Sequence, residues 1–195
     1  MRLALFDFDG TITTKDSMVE FIKYAVGKKK YYFGLLRLSP LLIAYKLKLY
    51  ANDKAKERFL AYFFKELTIK EFQKMVIGYD ENELDKIVRK EAIEKIGWHK
   101  KQGDEVVVIS ASMECWLKLW CDRQKVKLIA TKLEIENGKF TGKFSTKNCY
   151  GEEKVNRLQK LYQTEKYSHI YAYGDSQGDR ELLALADEAF YKPFR

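Results

Sequence analysis

Residues 2–11 read Arg-Leu-Ala-Leu-Phe-Asp-Phe-Asp-Gly-Thr, an apolar run that stops abruptly at Asp7-Phe8-Asp9-Gly10-Thr11. Such a run, closed by a polar cluster containing glycine, reads as a buried strand entering a tight loop. Side chains alternate along a strand, so Asp7 and Asp9 share a face with about 7 Å between their α-carbons, and Phe8 turns into the core. A purely structural turn would use similar residues. A calcium loop is discounted, because the twelfth position counted from Asp7 is Met18 rather than glutamate.

Outward from this stretch, residues 17–96 change to helical periodicity, with Val19, Ile22, Tyr24 and Val26, then Phe59, Tyr62 and Phe63, then Leu84, Ile87 and Val88 spaced among Lys and Glu. Three to five helices fit this segment. The β-branched run 105–110, Glu-Val-Val-Val-Ile-Ser, suits a strand covered on both faces. A helix over 113–124, a strand over 127–131 and a hairpin around Asn137-Gly138 come next, the hairpin projecting from the core. A helix over 152–162, a strand over 169–173, a helix over 177–186 and a last strand over 188–191 complete the chain. The alternation predicts an α/β fold: a doubly wound, mostly parallel sheet, interrupted after its first strand by an all-helical segment and carrying a small β-hairpin.

In such sheets ligands collect at the carboxyl ends of the strands. Three predicted strand ends carry reactive groups. A carboxylate at Asp7 beside a divalent cation stays ionised and nucleophilic, and Asp9, with its side chain off the metal, can carry a proton to and from the reacting oxygens. Ser110 ends the second strand, and with the backbone of Ala111 and Ser112 it can hold a phosphate oxygen; either serine would also serve as a plain helix N-cap. Gly174-Asp175-Ser176-Gln177-Gly178-Asp179 leaves the strand 169–173, so Asp175 emerges beside Asp7 and Asp9. Convergent carboxylates with room for water suit magnesium. Asp179, one helical turn on, would fix Lys154 or a metal-bound water, or cap its helix. Lys154 sits in the first turn of a helix, where the macrodipole disfavours a cation; that hints at an anionic partner, though a surface lysine is the alternative.

Composition narrows the class. The 195 residues are 46% hydrophobic and 33% charged, an ordinary globular balance. The N-terminus lacks a leader pattern, and the most apolar region, 35–50, is broken by Arg37, Pro40, Lys46 and Lys48. The three cysteines, Cys115, Cys121 and Cys149, have no CxxC spacing, which argues against a disulfide framework or a zinc site and fits a reducing cytoplasm. The net charge of +8 favours acidic partners, and much of it lies between Lys15 and Lys48. No zinc-finger spacing, RNA-recognition signature or compact basic motif is present, so a non-catalytic nucleic-acid binder ranks far below an enzyme. Neither a P-loop nor G-x-G-x-x-G occurs, removing the usual sign of a nucleotide-driven enzyme.

Asp-Phe-Asp-Gly-Thr, the strand-ending serine, the downstream lysine and Gly-Asp-Ser-Gln-Gly-Asp resemble the four motifs of the haloacid dehalogenase superfamily, in its phosphoserine phosphatase-like branch. The resemblance spans most of the chain. It implies a magnesium-dependent phosphomonoester hydrolase in which Asp7 forms an aspartyl-phosphate and Asp9 is the general acid and base. Magnesium would be held by Asp7, the Asp9 carbonyl and Asp175, and phosphate by Ser110, Ala111 and Lys154, with Asp179, Gly10 and Thr11 in support. It also implies a core of residues 1–13 and 98–195, with 14–97 as a helical cap that closes over a phosphorylated small molecule.

Phosphoserine phosphatases typically carry a cap glutamate after the first motif and a cap arginine. Here the comparable positions are Asp16 and either Arg37 or Arg58. The stretch from Ile109 to Val155 is similar to a bacterial subgroup that includes phosphatidylglycerophosphate phosphatases. With the basic, Leu- and Tyr-rich segment 28–50, this keeps open a lipid phosphate and a peripheral membrane contact. The alternative is a helix pair whose Leu and Tyr pack internally.

Overall fold

The computed structural model describes all 195 residues. From the N-terminus, β1 (Leu3–Phe6) leads into helices α1 (Ser17–Val26), α2 (Lys28–Arg37), α3 (Ser39–Lys46), α4 (Asn52–Phe64), α5 (Ile69–Asn82) and α6 (Lys90–Lys101). Next come β2 (Glu105–Met113), α7 (Glu114–Gln124), β3 (Lys127–Thr131) and the hairpin strands β4 (Leu133–Glu136) and β5 (Lys139–Phe144). The chain closes with α8 (Glu152–Leu161), β6 (Ile170–Gly174), α9 (Arg180–Leu185) and β7 (Glu188–Tyr191). The five main strands form one parallel sheet in the order β3-β2-β1-β6-β7. Successive connections run from β1 to one edge and then restart on its other side, so the carboxyl ends of β1, β2 and β6 meet where the winding reverses.

Alternation along the strands sorts the core into two layers. Leu3, Leu5, Val107, Ile109, Ile170 and Ala172 face Leu158 of α8 and Leu182 of α9. Ala4, Phe6, Val106, Val108 and Tyr173 face the opposite layer, which continues through Trp116 and Trp120 of α7 into the helical segment. Phe21 of α1 stacks on Trp116 at 4.9 Å and meets Phe64 and Phe72 at 5.5 and 5.3 Å. Aromatic rings of this size dominate the apolar area removed from water at such a junction.

The segment between β1 and β2 holds six α-helices rather than the three to five expected. The excess arises within 17–46: Gly27, at φ 81°, breaks the chain between α1 and α2, and Ser39-Pro40 starts α3 immediately after α2. At 177–186 a single turn of 3₁₀ helix, Gln177–Asp179, precedes the α-helix. Asn137 and Gly138 have φ values of 50° and 74°, the two positive angles that a type I′ turn demands. The hairpin does not stand free. Phe140 packs on Phe72 at 4.4 Å, Glu66 N donates to Phe140 O and Ile69 N to Gly138 O, and any side chain at Gly142 would collide with Ala61.

Helix α6 spans the expected division at 97/98 and packs against β2. It carries the fully buried His99, whose Nδ1 lies 2.7 Å from Asp104 Oδ2 and whose Nε2 lies 2.9 Å from the Tyr173 hydroxyl. Both contacts are satisfied by a neutral ring that donates from Nδ1 and accepts at Nε2. Burial lowers the His99 pKa, against the opposing pull of Asp104. The stability contributed by this depressed group is full above the ordinary value of 6.5 and is lost as pH falls below it. His99→Leu, which leaves Asp104 with Arg2 alone and strands its Oδ2 and the Tyr173 hydroxyl, is expected to cost about 1–3 kcal/mol in urea unfolding at pH 8. The acid limb of the stability profile should flatten in the variant; an unchanged profile would mean that His99 does not shape that limb.

Candidate active site

Beyond β1 the backbone stays extended at Asp7 (φ −68°, ψ 157°) and Asp9 (φ −76°, ψ 118°) and reverses at Gly10 (φ 84°). Gly10 is required twice over, by its positive φ and because a Cβ there would run into the Asp175 carboxylate. Phe8 is fully buried and meets Trp120 edge to face at 5.2 Å, which anchors the segment and leaves both aspartates on the opposite side.

Lys154, on the first turn of α8, is 1% exposed. Its Nζ donates to Asp7 Oδ1 at 2.5 Å, Asp179 Oδ1 at 2.6 Å and Ile109 O at 3.0 Å, using all three ammonium hydrogens. Burial alone would lower the Lys154 pKa, but the two carboxylates outweigh it and raise it. Burial likewise pushes Asp179 up, and Lys154 with the Ser176 hydrogen bonds brings it below the ordinary carboxylate range. Asp179 Oδ2 is saturated as well, accepting from Asp175 N, Ser176 N and Ser176 Oγ. Lys154 and Asp179 are therefore a matched ion pair. Asp7 is left short of positive charge, and burial, countered by Lys154, lifts it to about 7.

Asp9 is held differently. Ser17 N donates to its Oδ1 at 2.6 Å and Ser112 Oγ to its Oδ2 at 2.5 Å. Burial, with a further push from Asp16, raises it to about 6 despite these donors. A carboxyl at that value can exchange a proton near neutrality. Ser112 is thus not the helix cap that sequence reading allowed. β2 continues through Met113, α7 has no side-chain cap, and Ser112 is spent on Asp9 and on Ser17, 3.1 Å away. Ser110 Oγ accepts from Ser112 N at 3.0 Å, which leaves its own hydrogen to donate.

The Asp175 carboxylate is raised by burial, against the pull of Arg195, whose guanidinium contacts Oδ2. Its Oδ1 is buried with no hydrogen-bond partner. Oxygens of Asp7, Asp175 and Asp179 lie within 4.8 Å of one another. An orphaned carboxylate oxygen among hard oxygen donors, next to an under-compensated Asp7, fits a small divalent cation such as magnesium. Asp179 supplies charge there while its own oxygens are already engaged. The Asp9 carboxylate lies outside this group.

One cavity of about 590 Å³ joins these residues: Asp7, Asp9, Gly10, Ser110, Ala111, Lys154, Asp175 and Asp179 all line it. Thr11 is buried off the cavity, with an unpartnered hydroxyl. Asp16 lines the cavity and also caps α1, accepting from Val19 N at 3.0 Å. Arg37 and Arg58 do not reach it; both are turned away, Arg58 lying over the Tyr50 ring. The helical wall instead brings Lys56, whose ammonium donates to Ala111 O at 2.8 Å and whose pKa burial lowers, against Asp16 and Asp9. Nothing in the sequence marks Lys56 among 36 lysines and arginines. Ser112 was foreseeable, standing two residues beyond Ser110 on the same strand face.

The sequence matches the haloacid dehalogenase-like hydrolase family over residues 4–184. The chain belongs to that family. This hydrolase is 34% identical over 196 residues to the protein CicA of Caulobacter vibrioides, covering 99% of this chain and 86% of that one. It is 30% identical over 202 residues to a probable phosphatase of Mycobacterium tuberculosis, covering 95% of this chain and 67% of the relative. Among solved structures, the hydrolase shares the fold of a substrate-bound phosphoserine phosphatase with a TM-score of 0.67 at 18% identity, over 94% of this chain and 82% of that one.

Two outcomes test the site's electrostatics in the hydrolase. Lys154→Met should cost about 3–5 kcal/mol at pH 8, because buried carboxylates lose their partner. The deficit should shrink toward acid, since a carboxyl whose folded pKa is raised destabilises progressively as pH climbs above its unfolded value. Magnesium should raise the thermal midpoint of the wild type and leave Asp175→Asn unmoved; equal shifts would place the cation elsewhere.

Proposed function

We propose that this hydrolase cleaves phosphomonoesters of small molecules through an aspartyl-phosphate formed on Asp7, with Asp9 as general acid and base and magnesium as cofactor. The observation that carries the reading is the unequal treatment of two neighbouring aspartates. Asp7 faces the cavity beside Lys154 and the orphaned Asp175 oxygen, whereas Asp9 is oriented by Ser17 and Ser112 and lies outside the carboxylate group. One is placed to attack and the other to move a proton.

In this reading Asp7 attacks phosphorus, the bond to the ester oxygen breaks, and Asp9 delivers a proton to the departing alkoxide. Asp9 then takes a proton from water, which attacks the aspartyl-phosphate, frees inorganic phosphate and restores Asp7. Ser110 Oγ and the Ala111 backbone support the phosphoryl oxygens, and Lys154 balances their charge. A divalent cation, which Asp7, Asp175 and the Asp9 backbone would hold, supplies the positive charge that keeps Asp7 ionised at neutral pH.

The helices α1–α5 are proposed as the cap, with α6 assigned to the core because of its packing on β2. Asp16 and Lys56 are proposed as its readers of the substrate, and Arg37 and Arg58, which do not reach the cavity, are set aside. The three free cysteines support a reducing compartment, the cytoplasm.

Turnover of an aryl phosphate should require magnesium and vanish in Asp7→Asn. Asp9→Asn should lower kcat by about 10²–10⁴-fold. Incubation with radiolabelled substrate and an acid quench should trap a hydroxylamine-labile label on the wild type and none on Asp7→Asn. A label surviving that substitution would assign the nucleophile to another residue. A phosphomonoester panel run on wild type, Asp16→Ala and Lys56→Met should show KM rising more than kcat falls for the preferred substrate.

A further inference from the structure

No acidic residue occurs between Glu20 and Asp53, a stretch that contains Lys28, Lys29, Lys30, Arg37, Lys46 and Lys48, all exposed. The structure adds what charge alone does not show. The same stretch exposes Tyr32, Phe33, Leu36, Ile43, Leu47 and Leu49, with Leu36 71% and Leu49 77% accessible. On α2 the division obeys helical spacing. Tyr31, Gly34, Leu35 and Leu38 turn inward at i, i+3, i+4 and i+7, while Lys29, Tyr32, Phe33 and Leu36 repeat the same intervals on the outer side. Beyond α3, Leu47 and Leu49 flank Lys48, which has a φ of 59°, so two leucines and a lysine protrude together from one turn.

We infer that the outer face of α2, α3 and the turn after them is a docking surface for an anionic lipid bilayer. Leucines and aromatics set among lysines, with no acid between, are complementary to a surface that is negative at its headgroups and apolar just beneath them. Each component is needed. A soluble acidic partner would leave Leu36, Leu47 and Leu49 unexplained, and an isologous contact between two copies would set the basic segment against itself. No helix of the molecule is long and apolar enough to cross a membrane, so the contact is interfacial. The inner side of the same helices contributes Tyr31, Leu35, Leu42 and Tyr45 to the cavity that holds Asp7, so docking would bring that cavity close to the lipid surface. Docking itself does not depend on the phosphatase chemistry, because binding is measured without turnover.

The test is co-sedimentation of the full chain with vesicles of phosphatidylcholine alone or mixed with phosphatidylglycerol. Binding is expected only to the mixed vesicles, weakening as salt rises. Since each basic residue near an anionic surface contributes roughly fivefold to partition, Lys29→Gln, Lys30→Gln, Lys46→Gln and Lys48→Gln together should lower it by about 600-fold. Leu36→Ser with Leu47→Ser and Leu49→Ser should also release the protein, at unchanged net charge. A control of equal charge, Lys127→Gln, Lys143→Gln, Lys160→Gln and Lys166→Gln, should bind nearly as the wild type does, and all variants should keep the wild-type circular dichroism and hydrolysis of a soluble aryl phosphate. Absence of binding to mixed vesicles at low salt overturns the inference, as does equal loss in the control. Concentration-dependent dimerisation abolished by the leucine substitutions, without vesicle binding, would make the face a self-contact instead.

Discussion

Burying an ammonium group is tolerable only where opposite charges and hydrogen-bond acceptors surround it, and in this molecule Lys154 is that group. Its three hydrogens reach Asp7 after β1, Ile109 O in β2 and Asp179 after β6, so one side chain ties together three strand ends and the first turn of α8. The charges do not cancel. Asp179 is satisfied by Lys154 and Ser176, and Asp175 meets Arg195 through Oδ2 alone, so the unanswered carboxylate falls on Asp7 and on Asp175 Oδ1. A site with surplus buried carboxylate is poised to take up a cation, and the ion pair beneath it fixes where that cation would sit.

The surrounding fold maintains this imbalance. Stacking of Phe6 on Tyr173 at 4.3 Å, and of Tyr173 on Phe190 at 4.8 Å, joins β1, β6 and β7 on the face away from α8. Gly10 lets the turn after Asp9 pass against Asp175. The helical segment is not a loose appendage: Phe21 meets Trp116, and the hairpin grips α4 and α5 through Phe140 and its backbone bonds. Ser17 at the head of α1 also holds Asp9, so the segment roofing the cavity orients one of its acids.

Much of this was legible in the chain. β1, β2 and β6 are legible because parallel strands buried on both faces are written as continuous apolar runs, and the reactive groups stand among the polar residues that end those runs. The helical segment was legible only as helical. Its number of breaks depended on Gly27 adopting a positive φ and on Ser39-Pro40 beginning a helix, outcomes that periodicity alone does not specify. The sequence leaves a cap role open to Ser112, because nothing in it shows that β2 runs farther than its β-branched stretch. Residue type alone points to Arg37 and Arg58, but both stand exposed on their helices and outside the cavity.

By itself, then, the sequence determined a parallel α/β sheet, the strand ends that carry chemistry and the basic stretch without acids, because alternation, turn residues and charge are local properties. Tertiary structure alone decided that Lys154 is shared between Asp7 and Asp179, that Ser17 and Ser112 orient Asp9, and that Lys56 enters the cavity. Those contacts join residues up to 147 positions apart, and no local pattern encodes which distant partner a buried charge will meet.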